Sequence, residues 1–481
     1  MKTHIFYFLI LFSLISCDKK NLPDVNDPGD NGQDSTKIEY SLLLQDTICR
    51  ADNYTDEKIA LQGLSSLFIS ESNPSAVFKE TTLYMNGDDA WLFFPNISLA
   101  AFQASDISHK IMINGSEFRD GDNVYVTNYY NGTFIKPIPI GEYSGAVLSA
   151  TEEVNENAKP VSLYTIYTDN GIPVGDNGLK SIFLKRGHMI TVAENADGTG
   201  RSEVFIAVDE NKHITLSNSL QGEVSFVRVL PWNYSVKRGI GRAPLLPEEL
   251  GMRWYYNWGL GEETSAGMEY VPMVWGKAGA NRVTDLIKKK NTTHLLAFNE
   301  PDGTDQSNLS ADEALKYYPK LLQTGLRIGS PACKEGAWKS WLNKFMNGCK
   351  SKGYRVDFIA IHWYDWGDWL ANKNPSPENI DAMVNRMKKD IDDCYNKFKL
   401  PIWITEFNAN KNRLTETQIL FLEKAIPMLE AHPHVERYAY FQPNGDNGKR
   451  PGNGEFLDGD VILPVGKAYG SVESTPAYQG E

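Results

Sequence analysis

Thr293-His294-Leu295-Leu296-Ala297-Phe298-Asn299-Glu300-Pro301-Asp302 is a short apolar run that breaks off into an amide and two carboxylates. A near-continuous apolar run of this length suits a strand buried on both faces, as in a parallel sheet. Seven more such runs lie around it: 236–241, 252–258, 270–275, 327–332, 358–364, 402–407 and 438–442, with 293–299 fourth in order. Helical patterns separate several of them. Ser310 followed by Asp312 and Glu313 opens one, 379–398 carries apolar residues near helical spacing, and 415–430 is a third, with Thr417 available to cap it. Eight strands alternating with helices over about 240 residues is the size of an α/β (β/α)8 TIM barrel.

Residues that act in such a barrel sit where its strands end. The fourth run ends in Asn299-Glu300-Pro301, the seventh in Thr405-Glu406-Phe407-Asn408, the second in Tyr256-Asn257-Trp258 and the sixth in His362-Trp363-Tyr364-Asp365. Polar and aromatic groups therefore gather at four mouths of one rim. Two carboxylates on that rim, Glu300 and Glu406, suit glycoside hydrolysis: one protonates the departing oxygen, the other attacks the anomeric carbon or activates water. His362 is either part of this site or a satisfied core histidine. Trp363 and Tyr364 alternate faces, so at most one points inward from the strand. Trp366 and Trp369 either form a substrate platform or pack on the barrel top. Asp302, Asp305 and Asp365 match no cation-loop spacing, and the chemistry calls for no metal and no cofactor.

The series Lys237-Arg238-Gly239, Trp254 to Trp258, Val271-Pro272-Met273-Val274-Trp275, Leu295 to Asp302, Gly329-Ser330-Pro331-Ala332, His362-Trp363-Tyr364, Trp403 to Phe407 and Pro464 to Tyr469 resembles glycoside hydrolase family 128, β-1,3-glucanases of the retaining (β/α)8 clan. The resemblance covers about residues 236–472. It implies a retaining endo-β-1,3-glucanase with Glu300 as acid/base and Glu406 as nucleophile. Asn299 would bond the sugar 2-hydroxyl. Asn257, His362 and Tyr364 would orient carboxylates or sugar, and Trp258, Trp275 and Trp363 would form stacking walls. The polar loops 408–413 and 443–447 depart from the pattern, which leaves subsites and linkage preference open. A same-clan enzyme for another β-glycan is the alternative, as is a non-catalytic glycan-binding lipoprotein.

The 481 residues leave room for more than the barrel, so the chain reads as multidomain. From 38 to 233 short strand-like runs follow one another without a long amphipathic helix, which suggests all-β, sandwich-like modules. A break near 137–142 divides this into 38–140 and 141–233, although one larger module fits nearly as well. Thr81 to Met85 and Ala90 to Phe94 flank Asn86-Gly87-Asp88-Asp89, the pattern of two strands around a turn. Trp91, Tyr129 and Tyr130 are either a glycan platform or core. Asp197-Gly198-Thr199-Gly200 lacks the following helix that phosphate binding needs and reads as a turn.

At the start, Lys2 and the apolar Ile5 to Phe12 form a targeting signal too short to span a bilayer. Its end, Leu14-Ile15-Ser16-Cys17, resembles a bacterial lipoprotein signal. That implies acylation of Cys17 and a lipid-anchored envelope protein, at the outer membrane or surface of a Gram-negative cell. Residues 18–37, rich in Asp, Asn, Gly and Pro, bury too little to fold and read as a tether. A net charge of −13 argues against nucleic acid and anionic lipid surfaces, and is compatible with a neutral polysaccharide.

Overall fold

The computed structural model describes residues 38–478 apart from 55–56, 243–247, 262–266, 291, 368–369 and 443–452. Cys17, the tether, Trp369 and the loop 443–447 lie outside the described residues. The chain divides into two compact units, 1–142 and 143–481.

In the first unit the chain coils. Leu42–Gln45, Lys58–Gln62, Thr82–Asn86 and Ile111–Ile113 run parallel in one sheet. Ile48–Ala51, Ser66–Ile69 and Trp91–Phe94 run parallel in the other, which Gly132–Pro137 and Val124–Tyr129 extend antiparallel. Each turn thus lays one strand in each sheet, and Leu61, Leu67, Leu83, Leu92 and Ile135 belong to one shared core. Thr82–Asn86 and Trp91–Phe94 are not a hairpin: they belong to different sheets, and the Asn-Gly turn is a corner between layers. Trp91 and Tyr129 are buried, which favours core over platform.

The second unit begins with two four-stranded antiparallel sheets, Ser144–Ser149 with Lys159–Ser162, Ser181–Leu184 and Lys212–Thr215, and Ile166–Thr168 with Phe226–Pro231, His188–Ala193 and Ser202–Ala207. They share an aliphatic core. The second sheet is bonded to the rest of the unit: Thr191 Oγ1 donates to the Gly325 carbonyl at 2.7 Å and Arg228 donates to those of Thr324 and Ile287. At 197–200 the Asp197 side chain accepts the Thr199 N–H at 3.1 Å, closing a turn.

The strands that carry the site follow: β1 (Arg238–Gly241), β2 (Trp254–Tyr256), β3 (Glu269–Tyr270), β4 (His294–Leu295), β5 (Arg327–Ile328), β6 (Ile359–Tyr364), β7 (Ile402–Asn408) and β8 (Val435–Tyr440). All their mutual pairings are parallel. β3, β2, β1, β8, β7 and β6 form one sheet in that order, and β4 pairs with β5. Single bridges Met273–Leu296, Gly329–Phe358 and Cys333–Ile361 join β3 to β4 and β5 to β6, so the neighbour relation runs through all eight and returns to β1. Outside the strands lie helices Ala311–Leu322, Trp341–Lys352, Pro377–Phe398 and Thr415–Ala431. Ser310 caps the first in a reciprocal pair with Glu313. Thr417 does not cap the last; its hydroxyl donates to the Ala371 carbonyl at 2.9 Å.

Inside the strands, aromatic rings fill the middle. Trp403 stacks on Phe358 at 4.1 Å and tilts against Trp254 at 5.3 Å. Gly239 and Gly329 make room: a Cβ on either would come within 2.4 Å of the Trp254 or Phe358 ring. At the strands' N-terminal ends lies a buried charged cluster. Glu269 pairs with Arg437 at 2.7 Å and with His294 at 3.0 Å, and Arg327 pairs with Glu436. Burial alone would raise the Glu269 pKa, but Arg437 and His294 outweigh it and hold it at about 2. Burial, with help from Arg437, pushes His294 down to about 4 despite Glu269.

Both shifts have the same sign. The unfolded chain, with ordinary values of 6.5 and 4.5, binds more protons than the fold as pH falls. Stability present near neutrality is therefore lost first between pH 6.5 and 4 through His294, then down to pH 2 through Glu269. A urea midpoint that falls steadily from pH 7 to pH 3 is expected, and one flat across that window would refute the account.

Candidate active site

Strand alternation decides which residues meet. Tyr256 and Trp258 are two apart at the end of β2, as are His362 and Tyr364 in β6, and all four converge on the carboxylates. Trp258 Nε1 donates to Glu406 Oε1 at 2.9 Å and Tyr256 Oη reaches the same oxygen at 3.4 Å. Tyr364 Oη donates to Glu406 Oε2 at 2.5 Å. His362 Nδ1 lies 2.9 Å from Glu300 Oε1 and 3.6 Å from Glu406 Oε2. One side-chain donor atom from each of Glu300, His362 and Glu406 falls within 4.8 Å of the others. Both carboxylates are mostly buried, 8% and 6% exposed.

Two of these residues hold backbone that side chains rarely adopt. Trp258 has φ +58° and Glu300 φ +39°, both in the left-handed region. Such strain survives only where surroundings over-determine it, and it concentrates at functional sites. Here the Ala332 carbonyl receives the Glu300 N–H at 2.7 Å, and β7 receives the Trp258 indole.

The electrostatics follow from burial beside two acids. Burial would lower the His362 pKa, but Glu406, the hydrogen bond to Glu300, and Glu335 together raise it. Burial first, then Glu406, pushes the Tyr364 and Tyr256 hydroxyls well above their usual range. They therefore remain donors throughout the working pH range. Among the described residues, Glu300, His362 and Glu406 are the group whose donor chemistry suits a metal ion. The Trp258 and Tyr364 donors compete for the same Glu406 oxygens, an arrangement suited to a hydrogen-bonded anion.

The other expected site residues are placed differently. Asn299 Nδ2 donates to Gln306 at 3.2 Å, on the buried end of the fourth run. Asn257 Oδ1 accepts from Tyr270 Oη at 2.8 Å and its amide donates to the Gly261 carbonyl; it bonds neither carboxylate. Trp363 is buried with its ring parallel to Phe421 of the helix Thr415–Ala431 at 5.7 Å, on the opposite face from His362. Trp275 is 39% exposed. Asp365 bonds Arg386 at 2.9 and 3.0 Å and Arg413 at 2.5 Å, and Asp305 bonds Lys334, so these aspartates are separate ion pairs. Tyr256 stands at the end of the second run without an expected role, and Lys334 and Glu335 are not among the expected site residues. The signal for the last two was available: the fifth run also breaks off into polar residues, in Cys333-Lys334-Glu335.

Residues 241–469 match the family described as glycosyl hydrolase catalytic core. This segment is a glycosyl hydrolase catalytic core. Alkali-sensitive linkage protein 1 of Schizosaccharomyces pombe is 31% identical over 236 residues, 46% of this chain and 40% of that protein, so the chain spans well under half of its relative. A family 128 subgroup I endo-β-1,3-glucanase from Amycolatopsis mediterranei, solved with laminaritriose, is 32% identical over 49% of this chain and 99% of that one, with a TM-score of 0.42. A subgroup III curdlan-specific exo-β-1,3-glucanase from Blastomyces gilchristii, solved with glucose, is 29% identical over 49% and 98%, with a TM-score of 0.39.

Within the catalytic core, Tyr364→Phe removes one hydrogen bond to Glu406 without opening the fold. A bond to a charged group contributes about 1.5–3 kcal/mol. If that contribution is realised in the transition state, kcat falls about ten- to a hundredfold with KM nearly unchanged. Steady-state kinetics check it; an unaltered kcat would remove Tyr364 from the mechanism.

Proposed function

We propose that the protein is a retaining endo-β-1,3-glucanase whose catalytic core is a (β/α)8 barrel. The observation that carries the mechanism is the approach of Glu300 to Glu406, with donor atoms within 4.8 Å. Inverting enzymes separate their carboxyls by about 6.5–9.5 Å to admit water, while retaining ones hold them about 5–5.5 Å apart. The parallel pairings that return from β8 to β1 support the barrel. The motif series along 236–472 supports the substrate.

The surroundings divide the roles. Glu406 receives Trp258 and Tyr364 on its two oxygens, which aims it as an attacking group. Its oxygen forms a bond to the anomeric carbon as the glycosidic C–O bond breaks, and Glu300 gives its proton to the departing sugar oxygen. Glu300 then takes a proton from water, whose oxygen displaces Glu406 and restores the starting configuration. His362, bonded to Glu300 and facing Glu406, holds the pair in register.

The β modules would serve as a spacer or as accessory glycan binders, and acyl-Cys17 with the tether would fix the enzyme to the envelope. The test is a digest of β-1,3-glucan followed by NMR. β-Anomers appearing first among mixed-length oligosaccharides support the reading. Initial α-anomers overturn retention, glucose alone overturns endo action, and activity confined to mannan, xylan or mixed-linkage glucan overturns the substrate.

A further inference from the structure

Glu300 and Glu406 face different neighbourhoods. Glu406 is surrounded by Tyr256, Trp258 and Tyr364, whereas the outer oxygen of Glu300 faces residues that the hydrolytic scheme above does not use. Lys334 Nζ lies 4.0 Å from Glu300 Oε2 and is held by Asp305 at 2.7 Å. Its own N–H donates to Asp302 Oδ1 at 3.1 Å. The loop after Glu300 is shaped around this lysine: a Cβ on Gly303 would sit 2.6 Å from Lys334 Cε and 2.8 Å from Nζ. Glu335 follows directly. Its carboxyl pKa is raised by burial, and it lies within electrostatic reach of His362 and Glu300, with the Trp366 side chain as a hydrogen-bonding neighbour.

Trp366 is 57% exposed, an unusual position for the largest apolar side chain. It is not on a loose loop. The preceding Asp365 is buried and doubly ion-paired, to Arg386 on the helix Pro377–Phe398 and to Arg413 beyond β7, and its Oδ1 also receives the Gly367 N–H at 3.3 Å. A flat indole carried on an anchored backbone, open to solvent and hydrogen-bonded to Glu335, is built to meet a ligand.

We propose that Lys334, Glu335 and Trp366 form the subsite for the first sugar of the departing chain. This rests on Glu300 being the acid, because the group it protonates must leave past its outer oxygen. The ligand class is a neutral pyranose unit. The C–H face stacks on Trp366, while the ammonium of Lys334 donates to ring hydroxyls and the carboxyl of Glu335 accepts from them.

The test compares laminarihexaose with 4-nitrophenyl β-laminaribioside, whose leaving group is not a sugar. Trp366→Ala and Lys334→Met should each lower kcat/KM at least tenfold more on laminarihexaose than on the aryl glycoside, mainly through KM. Trp366→Phe, which keeps a flat ring, should recover most of the loss. Equal losses on both substrates, or no loss on laminarihexaose, overturn the subsite while leaving the glucanase reading intact. A wild-type enzyme inert on both substrates overturns that reading and the subsite with it.

Discussion

Glu406→Gln is expected to lower kcat on β-1,3-glucan by at least about a thousandfold, a loss of about 4 kcal/mol in transition-state stabilisation. The amide keeps a single oxygen, so it can accept only one of the Trp258 and Tyr364 donors, which address different oxygens of Glu406, and it cannot form the glycosyl ester. Oligosaccharide binding, read by calorimetry, should therefore stay near wild type. Glu300→Gln should show a different signature. Removing a general acid costs about 10²- to 10⁴-fold where the leaving group needs a proton. The loss should shrink sharply on a dinitrophenyl glycoside, which departs unaided. If Glu300→Gln loses equally on both substrates, or Glu406→Gln keeps near-wild-type turnover, the two roles are misassigned.

The second large effect is on stability. Arg327 and Glu436 are an ion pair buried at the strands' N-terminal ends, and Glu436 also accepts the Trp403 indole N–H at 3.1 Å. Arg327→Met leaves Glu436 as an unpaired charge under the aromatic core. Breaking a buried pair in this way costs about 3–5 kcal/mol. The double variant Arg327→Met, Glu436→Leu removes both charges and should regain much of that loss, since buried pairs contribute little over well-packed apolar residues. Urea unfolding of the three proteins measures it. A single-variant loss under about 1 kcal/mol would mean that water reaches the carboxylate.

What could be read from the amino acids depended on whether burial and apolarity coincide. β6 and β7 are apolar strands buried on both faces, and the expected runs 358–364 and 402–407 lie within a residue of them. The eighth run was placed at 438–442, but the strand is Val435–Tyr440. Glu436 and Arg437 begin it as buried ion-paired charges, which carry no apolar signal. The meeting of Glu300 and Glu406 is legible because two runs each end in a carboxylate; His362, Tyr364 and Trp258 come from the family resemblance, and Trp258, expected as a stacking wall, instead donates to Glu406. Asn257 is expected from the family resemblance alone; two-residue alternation puts 256 and 258 on one side and 257 on the other. The same rule leaves at most one of Trp363 and Tyr364 inward, and it is Tyr364 that reaches Glu406 while Trp363 packs on Phe421. In the first unit, an Asn-Gly dipeptide marks a tight reversal equally well in a hairpin and at the corner of a coil. Only the long-range pairing distinguishes them.

That coil has a consequence for reach. Every turn contacts mainly the turns above and below it, so length is set by how many turns are stacked, not by the size of one closed core. The excursions 70–81 and 95–110 already differ between turns without disturbing the sheets. A duplicated turn would extend the stack by about 4.8 Å, the spacing of neighbouring strands. The antiparallel pair Val124–Tyr129 and Gly132–Pro137 would serve as its terminator, since a strand that reverses offers incoming chain no continuing helical path. Simple gene duplication could thus lengthen this coil turn by turn, with no change required in residues 241–469.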